Sequence, residues 1–379
     1  MKDSRTKMSP MPRFFRFLQV LVVALSVLPI SISWAQNTTP PQLQPRPAEP
    51  EKAPSPPPAD RRIELNIQVT DKSGAPVRGL QKDDFTVLDD KRPQNILSFR
   101  AVDEQAVQNA VPPAEIILVV DAVNASFQAV TYERNELKKF LLQNGGKLAQ
   151  PVSLVIFADT GTKMQQGSSR DGNALAALYD QYETGLRIIN RSQGIYGAAE
   201  RFTLSLRTLT SLADYEAKQP GRKLMIWFSP GWPLLTGPRI EYTRKDEEGF
   251  FNSIVALSNE LRAADVTLYS IDPLGLADAG GVRISYYEEF LKGVPFASRA
   301  QAANLSLQVL AEQSGGRVLN SSNDITGEIA NCTSDANAYY VLSFEAAHAD
   351  HANEYHAIEV KTDKSGAKPR TRTGYYAQP

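Results

Sequence analysis

Glu115-Ile-Ile-Leu-Val-Val-Asp121, followed by Ala-Val-Asn-Ala-Ser126, is the stretch whose reading decides the fold. Five apolar residues in a row, Ile116 to Val120, read as a strand buried on both faces, as in a parallel sheet. The run stops abruptly on a carboxylate. Open α/β sheets place their ligands at the carboxyl ends of their strands. Whether Asp121 holds a metal is therefore the main functional question.

Outward from this strand, buried runs alternate with amphipathic stretches. Val152–Phe157, Leu224–Phe228, Val266–Ile271 and the shorter Arg317–Leu319 read as further strands. Between them Phe127–Leu142, Ala174–Tyr182, Gly197–Lys218, Phe250–Ala264 and Ala303–Gln313 carry apolar residues near helical spacing, and Gly315-Gly316 supplies a C-cap. This alternation predicts an α/β fold with a doubly wound, mostly parallel sheet over residues 113–335.

The flanks are different. In residues 62–112, Ile63, Leu65, Ile67 and Val69 alternate with polar residues, as in a half-buried strand; Asp84–Leu88 and Asn95–Phe99 follow, separated by Asp89-Asp-Lys-Arg-Pro93. In residues 336–379, Tyr339–Glu345, Tyr355–Thr362 and Arg370–Tyr376 read as three more strands. Each set is too small to stand alone. The expectation is one flanking β-sandwich built from both, with the α/β domain inserted between them. Arg370 and Arg372 share one face of the last strand and are expected on its solvated side.

Residues 1–35 read as a signal peptide. Lys2, Arg5, Lys7, Arg13 and Arg16 precede the apolar stretch Phe17–Ile32, and Ser33-Trp34-Ala35 suits cleavage after Ala35. Uncleaved, this segment would be the one route to a membrane. Cleavage removes five basic residues and one acid from 41 and 42, leaving 36 against 41, a net charge of −5. With no basic block in either form, nucleic acid is not an expected partner. Residues 36–61 are a proline-rich linker favouring extended backbone. The lone cysteine, Cys332, cannot form an internal disulfide and is expected inside a helix.

Several motifs together resemble a von Willebrand factor A (vWA) domain, closest to the VWFA-related group described from acidobacterial proteins. They are Val119-Val-Asp121 with Asn124, Leu224-Met-Ile-Trp-Phe-Ser-Pro-Gly231, Tyr269-Ser-Ile-Asp-Pro273 and Leu310-Ala-Glu-Gln-Ser-Gly-Gly-Arg317. Asp83-Asp-Phe-Thr-Val87 upstream and Thr373-Gly-Tyr-Tyr376 downstream resemble that group's flanking β segments. The resemblance implies a site at the top of the sheet that holds Mg²⁺ through Asp-x-Ser-x-Ser, a Thr from a second loop and an Asp from a third. Mg²⁺ wants six oxygens near octahedral geometry. Here Asp121 matches the first Asp, but the Ser positions fall on Val123 and Ala125. Gly194-Ile-Tyr-Gly197 has no Thr, and Phe228-Ser-Pro-Gly231 has no Asp. The expectation is a degenerate site with no metal and no cofactor; any Mg²⁺ would fall to Asp121 and Ser126. Trp232 is expected to pack beneath the loops.

The sequence contains no G-x-S-x-G, Walker loop, H-E-x-x-H or C-x-x-C. His348, Asp350 and His351 lie in a polar stretch that reads as a hairpin loop. The expected function is thus non-enzymatic: a secreted or periplasmic, cell-envelope protein that binds another protein or an envelope polymer. Its ligand patch would be Asp121, Asn124, Ser126 and Ser229. Two alternatives stand beside this, a Mg²⁺-dependent adhesion module with an altered ion site, and a hydrolase using the strand-end carboxylates Asp121, Asp159 and Asp272.

Overall fold

In the computed structural model the opening stretch is strand β5 (Glu115–Asp121), in the middle of a seven-stranded sheet. The structure describes residues 61–103, 112–183, 194–235, 241–275 and 286–379. The expected signal peptide, and all of the proline-rich linker except Arg61, lie outside the described residues.

Strand β5 pairs in parallel with β6 (Lys147–Ala158) on one side and β9 (Lys223–Phe228) on the other. Beyond β9 come β10 (Val266–Ile271) and the two-residue β11 (Val318–Leu319), both parallel. The β6 edge ends in two short antiparallel strands, β7 (Gly161–Met164) and β8 (Ser169–Asp171), which the sequence did not betray. The chain thus runs outward from β5 through β6, then returns and runs outward the other way through β9 and β10. The reversal lies between β5 and β9, the topological switch point at which such sheets open a crevice.

Both faces of the sheet are covered, which explains the absence of alternation in Ile116–Val120. Ile117 and Val119 pack with α3 (Gly194–Glu216), α4 (Arg244–Ala263) and α5 (Leu307–Gln313). Ile116, Leu118 and Val120 pack with α1 (Phe127–Leu142), α2 (Gly172–Glu183) and α6 (Ile325–Ser334). Cys332 is fully buried in α6.

Two helices depart from expectation. Helix α4 starts six residues before Phe250, because Thr243 and Asp246 form a reciprocal capping box. The stretch Ala303–Gln313 is not one helix: Ala302–Leu305 is a 3₁₀ turn, Ser306 is extended, and α5 begins at Leu307.

The flanking strands form two four-stranded antiparallel sheets. One is ordered β14 (Lys368–Arg370), β1 (Arg62–Thr70), β12 (Tyr339–Glu345), β4 (Ile96–Val102). The other is ordered β15 (Gly374–Ala377), β13 (Glu354–Thr362), β2 (Phe85–Asp89), β3 (Arg92–Gln94). Their inner faces share one core, with Leu65, Ile67 and Leu342 from the first sheet and Val87, Ile358 and Tyr375 from the second. The expected strand Arg370–Tyr376 is broken at residues 371–373, and its halves join opposite sheets.

That break overturns the expectation of a solvated arginine face. Arg370 turns inward to the Gly315 carbonyl and Asp335 Oδ2. Arg372 is half-buried against the α/β layer rather than free on the surface. Among the described residues no helix is long and apolar enough to cross a membrane.

Candidate functional site

At the carboxyl end of β5, Asp121 is fully buried. Its Oδ1 accepts from the amides of Val123 (2.9 Å) and Asn124 (2.8 Å), and its Oδ2 accepts from Asn124 Nδ2 (2.8 Å) and from Trp227 Nε1 (3.0 Å). Burial pushes the carboxyl pKa up; the Asn124, Trp227 and Ser229 hydrogen bonds pull it back by favouring the charged form. A carboxylate has about four lone-pair positions, and these four donors together with the Ser229 hydroxyl already crowd them. A cation could approach only by displacing an indole or a loop amide.

The donors come from both sides of the switch point. Trp227 is the fifth residue of β9 and lies across the reversal from Asp121. Its ring meets Phe157 at 5.7 Å and Trp232 at 5.2 Å, both edge-on. Trp232 is buried, as the sequence led us to expect. Val123 and Ala125 are also buried, so the two positions lacking hydroxyls serve the core. Gly231 stands at φ +105°, a backbone conformation that favours glycine in the loop after β9. The crevice of an open α/β sheet is here packed with aromatic rings.

The four expected ligand residues do not form one patch. Asp121, Asn124 and Ser229 are brought together, and Asn124 Nδ2 also reaches Ser205 Oγ (2.9 Å). Ser229 is fully buried and its Oγ accepts from Gly231 N (3.2 Å). Ser126 is exposed and faces away: its Oγ accepts from Ala129 N (3.1 Å) as the N-cap of α1. The rim outside this plug carries two exposed aromatics, Phe127 at 65% and Tyr196 at 84%.

Of the other strand-end carboxylates, Asp272 Oδ1 accepts from Leu274 N (3.0 Å) in its own turn, and Asp159 is exposed between β6 and β7. Neither joins the hydrogen bonds of Asp121 among the described residues. His348 and His351 are exposed in their loop. His356 is buried in β13, with Nδ1 3.0 Å from Asp89 Oδ1 and 3.6 Å from Asp90 Oδ2. Tyr375 donates to Asp89 Oδ2 (2.7 Å) and stacks on the His356 ring. These groups tie the strands of one sandwich sheet together.

Reading the sequence missed Glu133. It lies in α1 between Val130 and Leu137, on the stripe that faces the sheet, and it is fully buried with both carboxylate oxygens unpartnered among the described residues. Burial, then the charge of Asp121, pushes its pKa well above the usual range. A Glu interrupting the apolar spacing of a core-facing helix was the available signal.

The chain matches no protein-family model and no curated protein. Among solved structures, the pilus adhesin SpaC from Lactobacillus rhamnosus GG in its open conformation is similar over 81% of this chain and 47% of that one, at 10% identity and a TM-score of 0.36. The human COPII-coat protein Sec24c is similar over 71% of this chain and 44% of that one, at 10% identity and a TM-score of 0.32. The SpRpn10 VWA domain is similar over 58% of this chain and 94% of that one, at 13% identity and a TM-score of 0.26. The chain spans about half the length of the adhesin and coat-protein chains it matches. The likeness to VWA-domain and adhesin-type proteins is distant and singles out no one family.

Proposed function

We propose that this is an exported, non-enzymatic binding protein of the cell envelope or its surroundings, which engages a protein or an envelope polymer through the top of a vWA-like sheet without a metal ion. The supporting observation is the plug at the switch point: Asp121 spends its acceptors on Trp227, Asn124 and Val123. Contact would then fall to the rim, where Phe127 and Tyr196 offer apolar area. Export rests on the N-terminal residues alone, and N-terminal sequencing of protein recovered outside the cytoplasm should begin at Gln36.

Calorimetric titration with Mg²⁺, Mn²⁺ and Ca²⁺ tests the reading. The expected result is no tight binding. Tight binding that disappears in Asp121→Asn would replace it with the metal-dependent alternative. In pull-downs from envelope extracts, a partner retained in EDTA and lost from the Phe127→Ser, Tyr196→Ser double variant is the expected outcome.

A further inference from the structure

Asp89 ends β2, Asp90 opens the turn to β3, and His356 lies on the neighbouring strand, β13. The turn is held against β13 by a reciprocal pair: Asp90 N donates to the Ala357 carbonyl and Ala357 N to Asp90 Oδ1, each at 2.9 Å. On the other side of β13, β15 brings Tyr375 opposite His356. Each carboxylate then has one oxygen fixed and one aimed. Asp89 Oδ2 accepts from the Tyr375 hydroxyl (2.7 Å), which leaves Oδ1 at 3.0 Å from His356 Nδ1. Asp90 Oδ1 takes the Ala357 amide, which leaves Oδ2 at 3.6 Å from the same nitrogen.

Three ligand atoms from two strands and a turn therefore converge, all within 4.8 Å of one another. One N–H at Nδ1 serves Asp89 and leaves Asp90 Oδ2 beyond hydrogen-bond length. Neither aspartate pairs with a lysine or arginine among the described residues. The His356 side chain is only 6% exposed and stacks on the Tyr375 ring, 5.1 Å between centroids, so its Nδ1 is fixed in this direction. Its Nε2 is buried with no partner among the described residues. That nitrogen can carry the ring proton when Nδ1 gives its lone pair to a metal. The way in is past Asp90, whose side chain is 49% exposed.

We propose that Asp89, Asp90 and His356 form a Zn²⁺ site in the sandwich, with the fourth position open to water. A Zn²⁺ bound at about 2.0–2.1 Å separates tetrahedral ligand atoms by about 3.4 Å. The two separations from Nδ1, 3.0 and 3.6 Å, lie on either side of that edge, and the exposed Asp90 side chain can turn to complete the set. The imidazole nitrogen selects Zn²⁺ over Mg²⁺ or Ca²⁺, which want shells of oxygen. Tyr375 is a positioning residue: by holding Asp89 Oδ2 it orients the ligating oxygen. The site is built from other residues than the top-of-sheet reading and stands or falls apart from it.

Calorimetric titration with Zn²⁺ of protein stripped with EDTA and dialysed tests this. One equivalent should bind, and the thermal midpoint should rise with Zn²⁺ and not with equal Mg²⁺. Asp90→Asn keeps an oxygen for the Ala357 amide and removes the charge from an exposed position. It should weaken Zn²⁺ binding about tenfold or more and abolish the rise in midpoint. His348 and His351, exposed in the loop before β13, are the rival zinc donors. The His348→Gln, His351→Gln double variant should therefore bind as the wild type does. If Zn²⁺ neither binds at one equivalent nor raises the midpoint, or if the double variant loses binding while Asp90→Asn keeps it, the site does not exist.

Discussion

At the carboxyl end of the parallel sheet, Asp121 is held by neutral donors alone: two amides, a carboxamide, an indole and a hydroxyl. At the amino end, Asp335 takes Arg370, Arg317 and the Tyr269 hydroxyl (2.7 Å), and Asp265 lies among Arg222, Arg372 and Lys223. The carboxyl end is closed by aromatic packing, whereas charge pairing joins the sandwich to the sheet at the amino end. The same residue type therefore does two jobs. Asp121 shapes a loop, while Asp335 fixes one layer on another.

The largest effect that would break this contrast is at Asp335. Asp335→Ala leaves two half-buried guanidiniums without their buried carboxylate and should cost about 3–5 kcal/mol, measured by chemical denaturation. A loss under about 1 kcal/mol would mean the amino end is held by apolar contact as well. At the other end, Trp227→Phe removes one donor from a buried carboxylate and should cost about 1–3 kcal/mol. Adding Asp121→Asn should recover part of that cost, because a neutral amide needs its partners less. Additive losses in the double variant would show that the indole matters only for packing.

Glu216 sharpens the comparison through pH. Its carboxylate is fully buried with both oxygens unpartnered among the described residues. Burial, then the charge of Glu115, raises its pKa from 4.5 to about 7, partly offset by Lys223. The folded protein thus binds this proton more tightly than the unfolded chain does. Its contribution is fully present below pH 4.5 and is lost as pH rises through about 7. Glu216→Gln should flatten the stability–pH curve across that window and leave the protein more stable than the wild type at pH 8. An unchanged slope would place the titration elsewhere. The smallest effect is expected at Ser126→Ala, about 1 kcal/mol for a lost N-cap, with ligand binding unaffected. A loss of binding without a loss of stability would return Ser126 to the ligand patch.

The parallel sheet was legible because double burial writes itself locally: Ile116–Val120 and Leu224–Phe228 leave no polar side to show water. Strand β1 was legible for a different reason, the alternation of Ile63, Leu65, Ile67 and Val69 with polar residues. The arginines were not. Alternating Arg370 and Arg372 look the same whether their face meets water or a carboxylate such as Asp335, which only the fold brings near. The start of α4 was readable in Thr243-Arg-Lys-Asp246, a capping pattern that outranks the apolar spacing beginning at Phe250. The plug at the switch point was half legible: the missing hydroxyls at Val123 and Ala125 were plain, but Trp227 as a donor to Asp121 needed the β5–β9 register.

Strand β12 lies between β1 and β4, with Ser343 and Ser98 joined at 2.6 Å although 245 positions apart. This has a consequence in time. As the chain is made, residues 62–102 have no completed sheet to join until β12 arrives, whereas β5 to β11 can already assemble. Domains generally fold as they emerge, and long-range pairing is slow. The α/β layer is therefore the template on which the sandwich is finished, and a variant that slows β12 docking should leave the first strands exposed to wrong partners rather than unfold the sheet.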